Sequence, residues 1–345
     1  MKKVLVAMSG GVDSSVTALL VKQKGYECIG ATMHLFDKGE GNSQDEIDAK
    51  KVADKLGISH IILDYTDEFK KQVIERFIRA YEEGETPNPC LVCNKYLKFG
   101  SMIDYLQEAG YDYIATGHYA RIEEKDGRFL LKKAADLSKD QSYMLYSLSQ
   151  NQLSHTLFPL GNISKEKARE IAEENDLTNA RKKDSQDICF VPNGDYAGVI
   201  SSLTGKSYPK GDFVSADGKV LGKHKGIINY TIGQRKGLGL ALPRPLYVKE
   251  KDVEGNRVVL CEDSELFENE LTAKEFNWIA FDKPKKPIRA YAKIRYKHTE
   301  QPATVTVLEN NDVKIVFDTP QRAISKGQAV VLYDGDIVIG GGIIK

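Results

Sequence analysis

The chain has 345 residues, which is enough for two or three domains with cores of their own. Hydrophobic residues make up 41% of it, charged residues 28%, and the formal net charge is zero, so a surface for nucleic acid would have to be a local basic patch. No apolar run approaches the roughly 18 residues that a membrane helix needs. Because the sequence opens on a strand-like run without a signal peptide, we predict a protein of the cytoplasm with no membrane segment.

The first third of the chain alternates strand-like and helix-like patterns. Val4–Met8 is an unbroken apolar run, typical of a parallel strand covered on both faces. Apolar residues at helical spacing follow from Val12 to Leu20, and Gly25 provides the stop. The same alternation continues with strands near Cys28–Met33, Ile61–Leu63 and Tyr113–Thr116, and helices near Gln44–Leu56, Phe69–Tyr81 and Lys95–Glu108. This pattern predicts an α/β domain with an open parallel sheet, whose ligand binds at the carboxyl ends of the strands.

The composition changes twice further along the chain. A second helical stretch runs to about Asn179, and from about Tyr196 Gly and Pro become frequent. Beyond Leu271 apolar residues alternate at period two, with turn residues at Asn310–Asp312 and Asp334–Asp336. We therefore predict a catalytic α/β domain over residues 1–195, a small mixed domain over 196–270 and an antiparallel β-barrel over 271–345.

The turn between the first strand and the first helix is suited to binding an anion. Ser9, Gly10 and Gly11 let backbone N–H groups approach a ligand, and the helix that follows adds the positive end of its dipole. Neither a Walker lysine nor a G-x-G-x-x-G pattern is present. Asp13 would repel a phosphate unless a cation lies between them, which implies Mg²⁺. The alternative is a Gly-Gly turn that only closes a strand–helix connection.

The number and positions of the cysteines are more typical of reactive thiols than of structural disulfides. The odd count of five argues against a disulfide framework, and Cys28 and Cys261 lie in apolar runs typical of buried residues. Cys90 and Cys93 lie on a Pro-rich loop before a helix, whose N-terminus is expected to lower the pKa of Cys93. Cys189 follows a stretch rich in Lys and Arg. The alternatives are a structural metal half-site for the C-x-x-C pair and a buried strand position for Cys189.

Several motifs together resemble one enzyme family. "SGGVDSS" at Ser9–Ser15 resembles the pyrophosphate loop of ATP pyrophosphatases, which split ATP between the α and β phosphates and so need no γ-phosphate lysine. Over essentially the full length, the chain resembles the tRNA 2-thiouridine synthases of this superfamily. The further motifs that carry this resemblance are "PNPCLVCNKYLKF", "ATGHYAR", "KDQSYML", "DSQDICF", "YTIGQRKGLG" and "IRY".

The resemblance implies roles for particular residues. It implies an ATP site with Mg²⁺ on the adenine-nucleotide α-hydrolase type of sheet. The implied nucleotide residues are Ala7, Met8, Ser9, Gly10, Gly11, Val12, Asp13, Ser14, Met33 and Gly117. Cys93 matches the family's catalytic nucleophile, Cys189 matches its persulfide carrier, and Asp13 belongs to the catalytic loop. Asn88, Pro89 and Cys90 match the segment that meets the target base. The implied tRNA contacts are Lys139, Asp140, Gln141, Arg295 and Tyr296.

The resemblance also implies a reaction. A sulfurtransferase of this family adenylates O2 of the wobble uridine, position 34 of a tRNA, and a persulfide on Cys189 then delivers sulfur to C2. Cys93 releases the sulfur by forming a disulfide with Cys189. A cysteine desulfurase or a relay protein is the expected sulfur donor, and a monomer is the simplest expectation for the enzyme.

Other readings remain open at this stage. Many family members have Asp at the position of Cys90, so here Cys90, Cys93 and Cys189 could instead hold a [4Fe–4S] cluster whose free iron binds sulfide. Another pyrophosphate-loop synthetase that adenylates a small molecule, or an RNA-binding protein with an inactive nucleotide site, would also carry some of these motifs. His118, after a predicted strand, is either functional or held by a structural hydrogen bond.

A basic stretch suits contact with RNA. Lys283–His298 contains seven Lys or Arg and no Asp or Glu. If Ile288–His298 is one strand, Arg295 and Tyr296 point to opposite faces, so both could contact RNA only where the strand ends or bulges. The alternative is a solvated edge strand protected by lysines.

Overall fold

The N-terminal part of the chain forms the predicted parallel sheet. The computed structural model describes residues 1–36, 43–180, 182, 188–241 and 243–345. Among these described residues, seven strands precede residue 160: β1 Lys3–Ala7, β2 Glu27–His34, β3 Ser59–Asp64, β4 Tyr113–Ala115, β5 Ala120–Lys125, β6 Arg128–Lys133 and β7 Thr156–Leu157. Five of them pair in parallel in the order β3-β2-β1-β4-β7. The prediction of an open parallel sheet is therefore confirmed.

Helices cover both faces of this sheet. They are α1 Val12–Gln23, α2 Gln44–Leu56, α3 Thr66–Phe69, α4 Glu75–Glu82, α5 Pro89–Cys93, α6 Met102–Glu108, α7 Gln150–Ser154 and α8 Lys165–Glu174, with a further α9 at Tyr196–Thr204. The π-helical segments Lys70–Ile74 and Asn94–Ser101 join α3 to α4 and α5 to α6. Short 3₁₀ segments lie at Ser142–Leu145, Pro192–Gly194, Ile227–Asn229 and Asp263–Leu266. Within the described parts of the chain, no helix has the length and apolar character needed to cross a bilayer.

Strand β1 shows why the sequence run is apolar throughout. Val4 and Val6 pack on one face with Val16 of α1, whereas Leu5 packs on the other face with Phe99. A strand with helices on both sides has no solvent face, so the alternation of polar and apolar residues disappears.

A second, mixed sheet follows. Its strands are β8 Gly211–Ser215, β9 Val220–His224, β10 Tyr247–Asp252 and β11 Arg257–Cys261, in the order β10-β11-β8-β9. Strands β11 and β8 are parallel and the other neighbours antiparallel. Phe213 and Val248 of this sheet share a hydrophobic core with Phe77 of α4 and with Cys93. This core therefore connects the mixed sheet to the helical region that carries Cys93.

The C-terminal part closes into the predicted antiparallel barrel. Its strands are β12 Phe267–Trp278, β13 Ile288–Lys293, β14 Gln301–Val307, β15 Val313–Arg322, β16 Ala329–Asp334 and β17 Ile337–Ile344. Strand β12 pairs with both β15 and β17, which closes the ring. Gly340 permits the close approach of β12 and β17, because a Cβ there would lie 2.1 Å from the carbonyl oxygen of Asn277.

The hairpin β5–β6 was not predicted. It leaves the N-terminal sheet and pairs with barrel strand β17 through Lys132 and Ile337. The Arg121 guanidinium also donates to the Asp336 carboxylate at 2.8 Å. The hairpin therefore joins the barrel to the sheet that carries the phosphate loop.

Candidate active site

One cavity lies at the carboxyl ends of β1, β2 and β4, where a parallel sheet is expected to bind its ligand. Its volume is about 420 Å³. Of the residues predicted from the sequence, the following line it: Ala7, Met8, Ser9, Asp13, Ser14, Met33, Pro89, Cys90, Cys93, Gly117, Gln141 and Cys189. The loop after β1 and all three candidate active-site cysteines thus face one space.

Glycines bring three backbone segments together at the phosphate loop. Gly10 has φ +69°, and a Cβ there would lie 2.4 Å from the carbonyl oxygen of Asp45. A Cβ on Gly117 would lie 2.9 Å from the backbone nitrogen of Ser14. Side chains at these two positions would push the loop away from α2 and from the turn after β4.

The loop serines stabilise the turn itself. The hydroxyls of Ser14 and Ser15 donate to the Gly11 carbonyl at 3.0 and 2.9 Å. Asn179, a buried residue that sequence reasoning missed, donates from Nδ2 to Ser15 Oγ at 2.8 Å and to the Gly10 carbonyl at 3.0 Å. Of the loop residues, Ser9 and Ser14 line the cavity. The other residues of the loop shape the turn but do not line the cavity: Gly10, Gly11, Val12 and Ser15.

The carboxylate of Asp13 is bound by a lysine. Lys165 Nζ lies 2.8 Å from each of the two Asp13 oxygens, and the Tyr119 hydroxyl donates to Oδ1 at 2.8 Å. A protein cation therefore neutralises the charge of Asp13 here, and the expectation that Mg²⁺ bridges Asp13 to a phosphate stays a prediction. No local pattern reveals this pair, since Lys165 belongs to α8 and is distant in the chain.

The side chains that the structure describes do not gather into a metal site of their own. Among the residues that the structure describes, no group of three or more His, Cys, Asp or Glu side chains could hold a metal ion. The described residues thus do not fit the [4Fe–4S] cluster considered for Cys90, Cys93 and Cys189. An Mg²⁺ ion carried by the phosphates of ATP would need no such group of protein ligands and stays a prediction. Two acidic residues that precede Cys189 in the sequence, Asp184 and Asp187, lie outside the described residues.

The three cysteines reach the cavity from two directions. Cys90 and Cys93 belong to α5, whereas Cys189 lies in a turn. Cys189 is exposed, so the reading as a buried strand cysteine is wrong. None of the five cysteines is in a disulfide, and outside this site Cys261 is buried and Cys28 half-buried.

Burial rather than the helix dipole controls the thiol of Cys93. Burial raises the pKa of Cys93 to about 11, and the nearby charge of Lys98 offsets only part of this effect. The prediction of a lowered pKa is therefore wrong. Helix α5 begins at Pro89, capped by the Asn88 side chain, which accepts from the Cys90 N–H at 3.1 Å. Cys93 lies at the far end of this helix, where the side chain turns into the core.

Two further polar side chains, those of Lys98 and His118, line the cavity together with the cysteines. Lys98 lines the cavity from the π-helical segment that follows α5. No spacing pattern in the sequence singles out this lysine as a site residue. His118 also lines the cavity, but its Nδ1 bonds with Thr116 Oγ1 at 2.7 Å and its ring packs beside Phe99. Burial lowers the pKa of His118 well below its usual value, so the ring is neutral. His118 thus makes the expected structural hydrogen bond and lines the cavity, and a functional role for it stays a prediction.

The two predicted tRNA segments meet on the surface. The Tyr296 hydroxyl donates to the Asp140 carbonyl at 3.1 Å, and Gln141 accepts from the Tyr119 N–H at 2.9 Å while lining the cavity. Lys139 is half-buried beside them. The Asp140 carboxylate accepts from the Ser142 hydroxyl at 2.8 Å, which is a structural role.

Strand β13 ends at Lys293, so Arg295 and Tyr296 are not held on opposite faces of a strand. Arg295 donates to the Arg322 carbonyl at 3.1 Å, and burial lowers its pKa. The charge of Arg289 is engaged by Asp318, with one N–H at 2.8 Å. The basic stretch is therefore partly neutralised at β13 and continues past its end, where the chain approaches Asp140.

Three family models match consecutive parts of the chain. A tRNA methyl transferase HUP domain matches residues 2–193, a tRNA methyl transferase PRC-barrel domain matches residues 199–262, and an aminomethyltransferase beta-barrel domain matches residues 268–344. These matches agree with a parallel sheet, a mixed sheet and a closed barrel in that order.

Relatives match over the full length. A tRNA-specific 2-thiouridylase MnmA of Clostridium acetobutylicum is 49% identical over 100% of this chain and 99% of the relative. The enzyme of the same name from Acetivibrio thermocellus is 50% identical over 100% and 99%, and the MnmA 1 protein of Clostridium tetani 51% over 100% and 97%. A solved 4-thiouridine synthetase–RNA complex with bound ATP aligns with 59% of this chain and 50% of its own at 15% identity and a TM-score of 0.37, too low to carry an argument. With this identity over its whole length, the chain belongs to the tRNA-specific 2-thiouridylase family.

Proposed function

We propose that this protein transfers sulfur to C2 of the wobble uridine, position 34, of a tRNA after ATP has adenylated the uracil O2. One observation carries the proposal: a single cavity is lined by the lysine-free phosphate loop and by Cys90, Cys93 and Cys189. A nucleotide loop alone suits many synthetases, whereas a loop that faces three thiols suits activation followed by sulfur transfer.

The cavity is suited to ATP cleaved between its α and β phosphates. Backbone N–H groups of the loop and the N-terminus of α1 would hold the phosphates, with Ser9 and Ser14 at the wall. Met33 and Gly117 would contact the adenosine. Uracil O2 is a poor leaving group, and its bond to AMP turns it into a good one, with release of pyrophosphate.

The sulfur steps balance without a metal. The terminal sulfur of a Cys189 persulfide attacks C2, and AMP leaves with the former O2. The Cys93 thiolate then attacks Sγ of Cys189, which forms a Cys93–Cys189 disulfide and releases the 2-thiouridine. The sulfane sulfur is reduced and the two thiols are oxidised, so an external thiol must reduce the disulfide before the next turnover.

The exposure of Cys189 suits its proposed role as the persulfide carrier, and the burial of Cys93 suits its proposed role as the thiol that forms the disulfide. An exposed thiol can receive sulfur from a cysteine desulfurase or a relay protein. A buried thiol with a pKa near 11 stays protonated until the substrate arrives, which protects the persulfide from premature disulfide formation. Lys98, the cation whose charge favours the thiolate of Cys93, would assist its later ionisation.

The RNA would approach from the side where the barrel meets the α/β domain. Asn88, Pro89 and Cys90 would contact the target base, turned out of the anticodon stack to reach the cavity. Lys139, Asp140, Gln141, Arg295 and Tyr296 would contact the tRNA around it. We propose domain boundaries near residues 195 and 270, action as a monomer, and a site of action in the cytoplasm, where tRNA is modified.

Nucleoside analysis tests the function directly. Total tRNA from a strain that lacks this gene should contain no 2-thiouridine derivative at position 34, as measured by liquid chromatography and mass spectrometry. A plasmid copy of the wild-type gene should restore it, and a Cys189→Ser copy should not. An unchanged modification profile in the deletion strain would overturn the proposal.

A further inference from the structure

We infer that Lys165 is a positioning residue for nucleotide binding: it neutralises and orients Asp13, and so removes a negative charge that would otherwise repel the phosphates at the loop. This inference rests on the proposed function, since it assumes that the loop binds ATP.

The geometry is that of an ion pair between a buried lysine and a partly exposed carboxylate. Lys165 is 5% exposed, and its ammonium lies 2.8 Å from both oxygens of Asp13. The Tyr119 hydroxyl completes the coordination of Oδ1, and the Tyr119 ring lies 6.0 Å below the ammonium. The pair is thus fixed from two sides, by α8 and by the segment after β4.

The backbone around Lys165 is fixed as well. Lys165 is the first residue of α8, whose N-cap Ser164 accepts from the Lys167 N–H at 3.1 Å. The Lys165 N–H itself donates to Asp136 at 3.2 Å. The backbone at Lys165 is therefore held both by the helix N-cap and by Asp136.

Removal of the lysine alone would leave the carboxylate unpaired at the cavity wall. Asp13 lines the space in which the phosphates are proposed to bind, and Tyr119 can offer it a hydrogen bond but no charge. An unpaired carboxylate beside a polyphosphate costs affinity, whereas removal of both charges relieves the repulsion.

The alternative is that Asp13 acts as a direct ligand of Mg²⁺ on the triphosphate. In that case Asp13 is needed whether or not Lys165 is present. The two assignments therefore make opposite predictions for a double variant.

A double-mutant cycle on ATP affinity distinguishes them. Asp13→Asn, Lys165→Met, the double variant and Lys165→Arg would be titrated with a non-hydrolysable ATP analogue at fixed Mg²⁺ by calorimetry, and each variant's Tm recorded. We expect Lys165→Met to weaken binding at least about tenfold and Lys165→Arg to stay near wild type. The double variant should recover most of the affinity that Lys165→Met loses, whereas a direct Mg²⁺ ligand at Asp13 predicts no recovery. A purely structural role would lower Tm and leave the affinity of the folded protein unchanged.

Other outcomes overturn the inference. Additive losses in the double variant, with ATP binding by the wild type, overturn the role of Lys165 and leave the proposed function standing. Failure of the wild type to bind the analogue overturns both. If Lys165→Met does not fold, Lys165→Gln takes its place in the cycle, because it removes the charge and keeps a polar group.

Discussion

Cys93 and Cys189 face the same cavity, although one side chain is buried in the core and the other is exposed. Sulfur chemistry in which one thiol carries a persulfide and a second thiol resolves it requires such a pair. The difference in burial gives the two thiols different reactivities, which can be measured without substrate.

Alkylation should distinguish the two thiols. At pH 7.5 iodoacetamide should modify Cys189 long before Cys93, because Cys93 is buried and, with a pKa of about 11, only on the order of a thousandth or less of it is thiolate. The Cys93 rate should rise by about tenfold per pH unit up to pH 10. Timed quenching followed by peptide mass spectrometry gives both rates, and Cys189→Ser serves as the control. Equal rates for the two residues at pH 7.5 would contradict the assignment.

Substitution of Cys90 should distinguish a mechanism with a Cys189 persulfide from one with an iron–sulfur cluster. Because no described group of side chains is arranged to hold a metal, Cys90→Asp should retain most thiolation activity and contain no iron. Cys189→Ser, in contrast, should lose all thiolation while it binds ATP and tRNA normally. Activity and metal content of anaerobically purified protein measure this. A brown wild-type protein that loses both colour and activity in Cys90→Asp would favour the cluster.

The two loop glycines provide a matched test of the loop geometry. Gly10→Ala should lower the free energy of unfolding by about 2 kcal/mol or more, because Gly10 has φ +69° and its Cβ would meet the Asp45 backbone at 2.4 Å. Gly11→Ala should cost less than about 1 kcal/mol, since Gly11 has φ −91° and its nearest neighbour, Ser9 Oγ, would lie at 3.6 Å. Urea unfolding of both variants provides the comparison. Equal costs would show that the turn is not held as described.

Much of this architecture could be predicted from local patterns. Val4–Met8, followed by Ser9-Gly10-Gly11 and a helical pattern, was sufficient to predict the sheet, the loop and the edge at which the cavity lies. The period-two alternation beyond Leu271 was sufficient for the barrel. These features depend on neighbours in the sequence, which is where such patterns carry information.

The features that were missed depend on distant residues. Hairpin β5–β6 has a turn signal at Asp126–Gly127, but its strands are rich in charge and its partner β17 lies some two hundred residues further on. The pairing of Asp13 with Lys165 has no local signature. The raised pKa of Cys93 follows from its burial in a core that also contains Phe77 and Phe213, which come from two different parts of the chain, and this desolvation outweighs the helix dipole.

Lys251 should make stability depend on pH in an unusual direction. Burial lowers its pKa to about 8, although its ammonium donates to the Glu85 carbonyl at 3.1 Å on the loop that precedes the Cys90 segment. Since the unfolded chain keeps this proton up to about pH 10.4 and the folded chain loses it near pH 8, the folded state gains stability as pH rises between these values.

The matched variant is Lys251→Met, which lacks the titrating group. Relative to this variant, wild-type protein should gain about 1.5 kcal/mol in the free energy of unfolding between pH 8 and 9.5. Urea unfolding at four pH values measures the free energy of unfolding of both proteins. The contribution of the buried tyrosines, which both proteins share, cancels when the two values are subtracted. A difference that stays flat or falls with pH would contradict a buried Lys251.

The most direct test of the central claim follows the oxygen that sulfur replaces. An unmodified tRNA labelled with ¹⁸O at uracil O2 would be incubated with the protein, ATP and a persulfide donor, and the nucleotide products analysed by mass spectrometry. Adenylation at this loop predicts one ¹⁸O in AMP for each 2-thiouridine formed and none in pyrophosphate. Label in inorganic phosphate, or thiolation with unlabelled AMP, would contradict it.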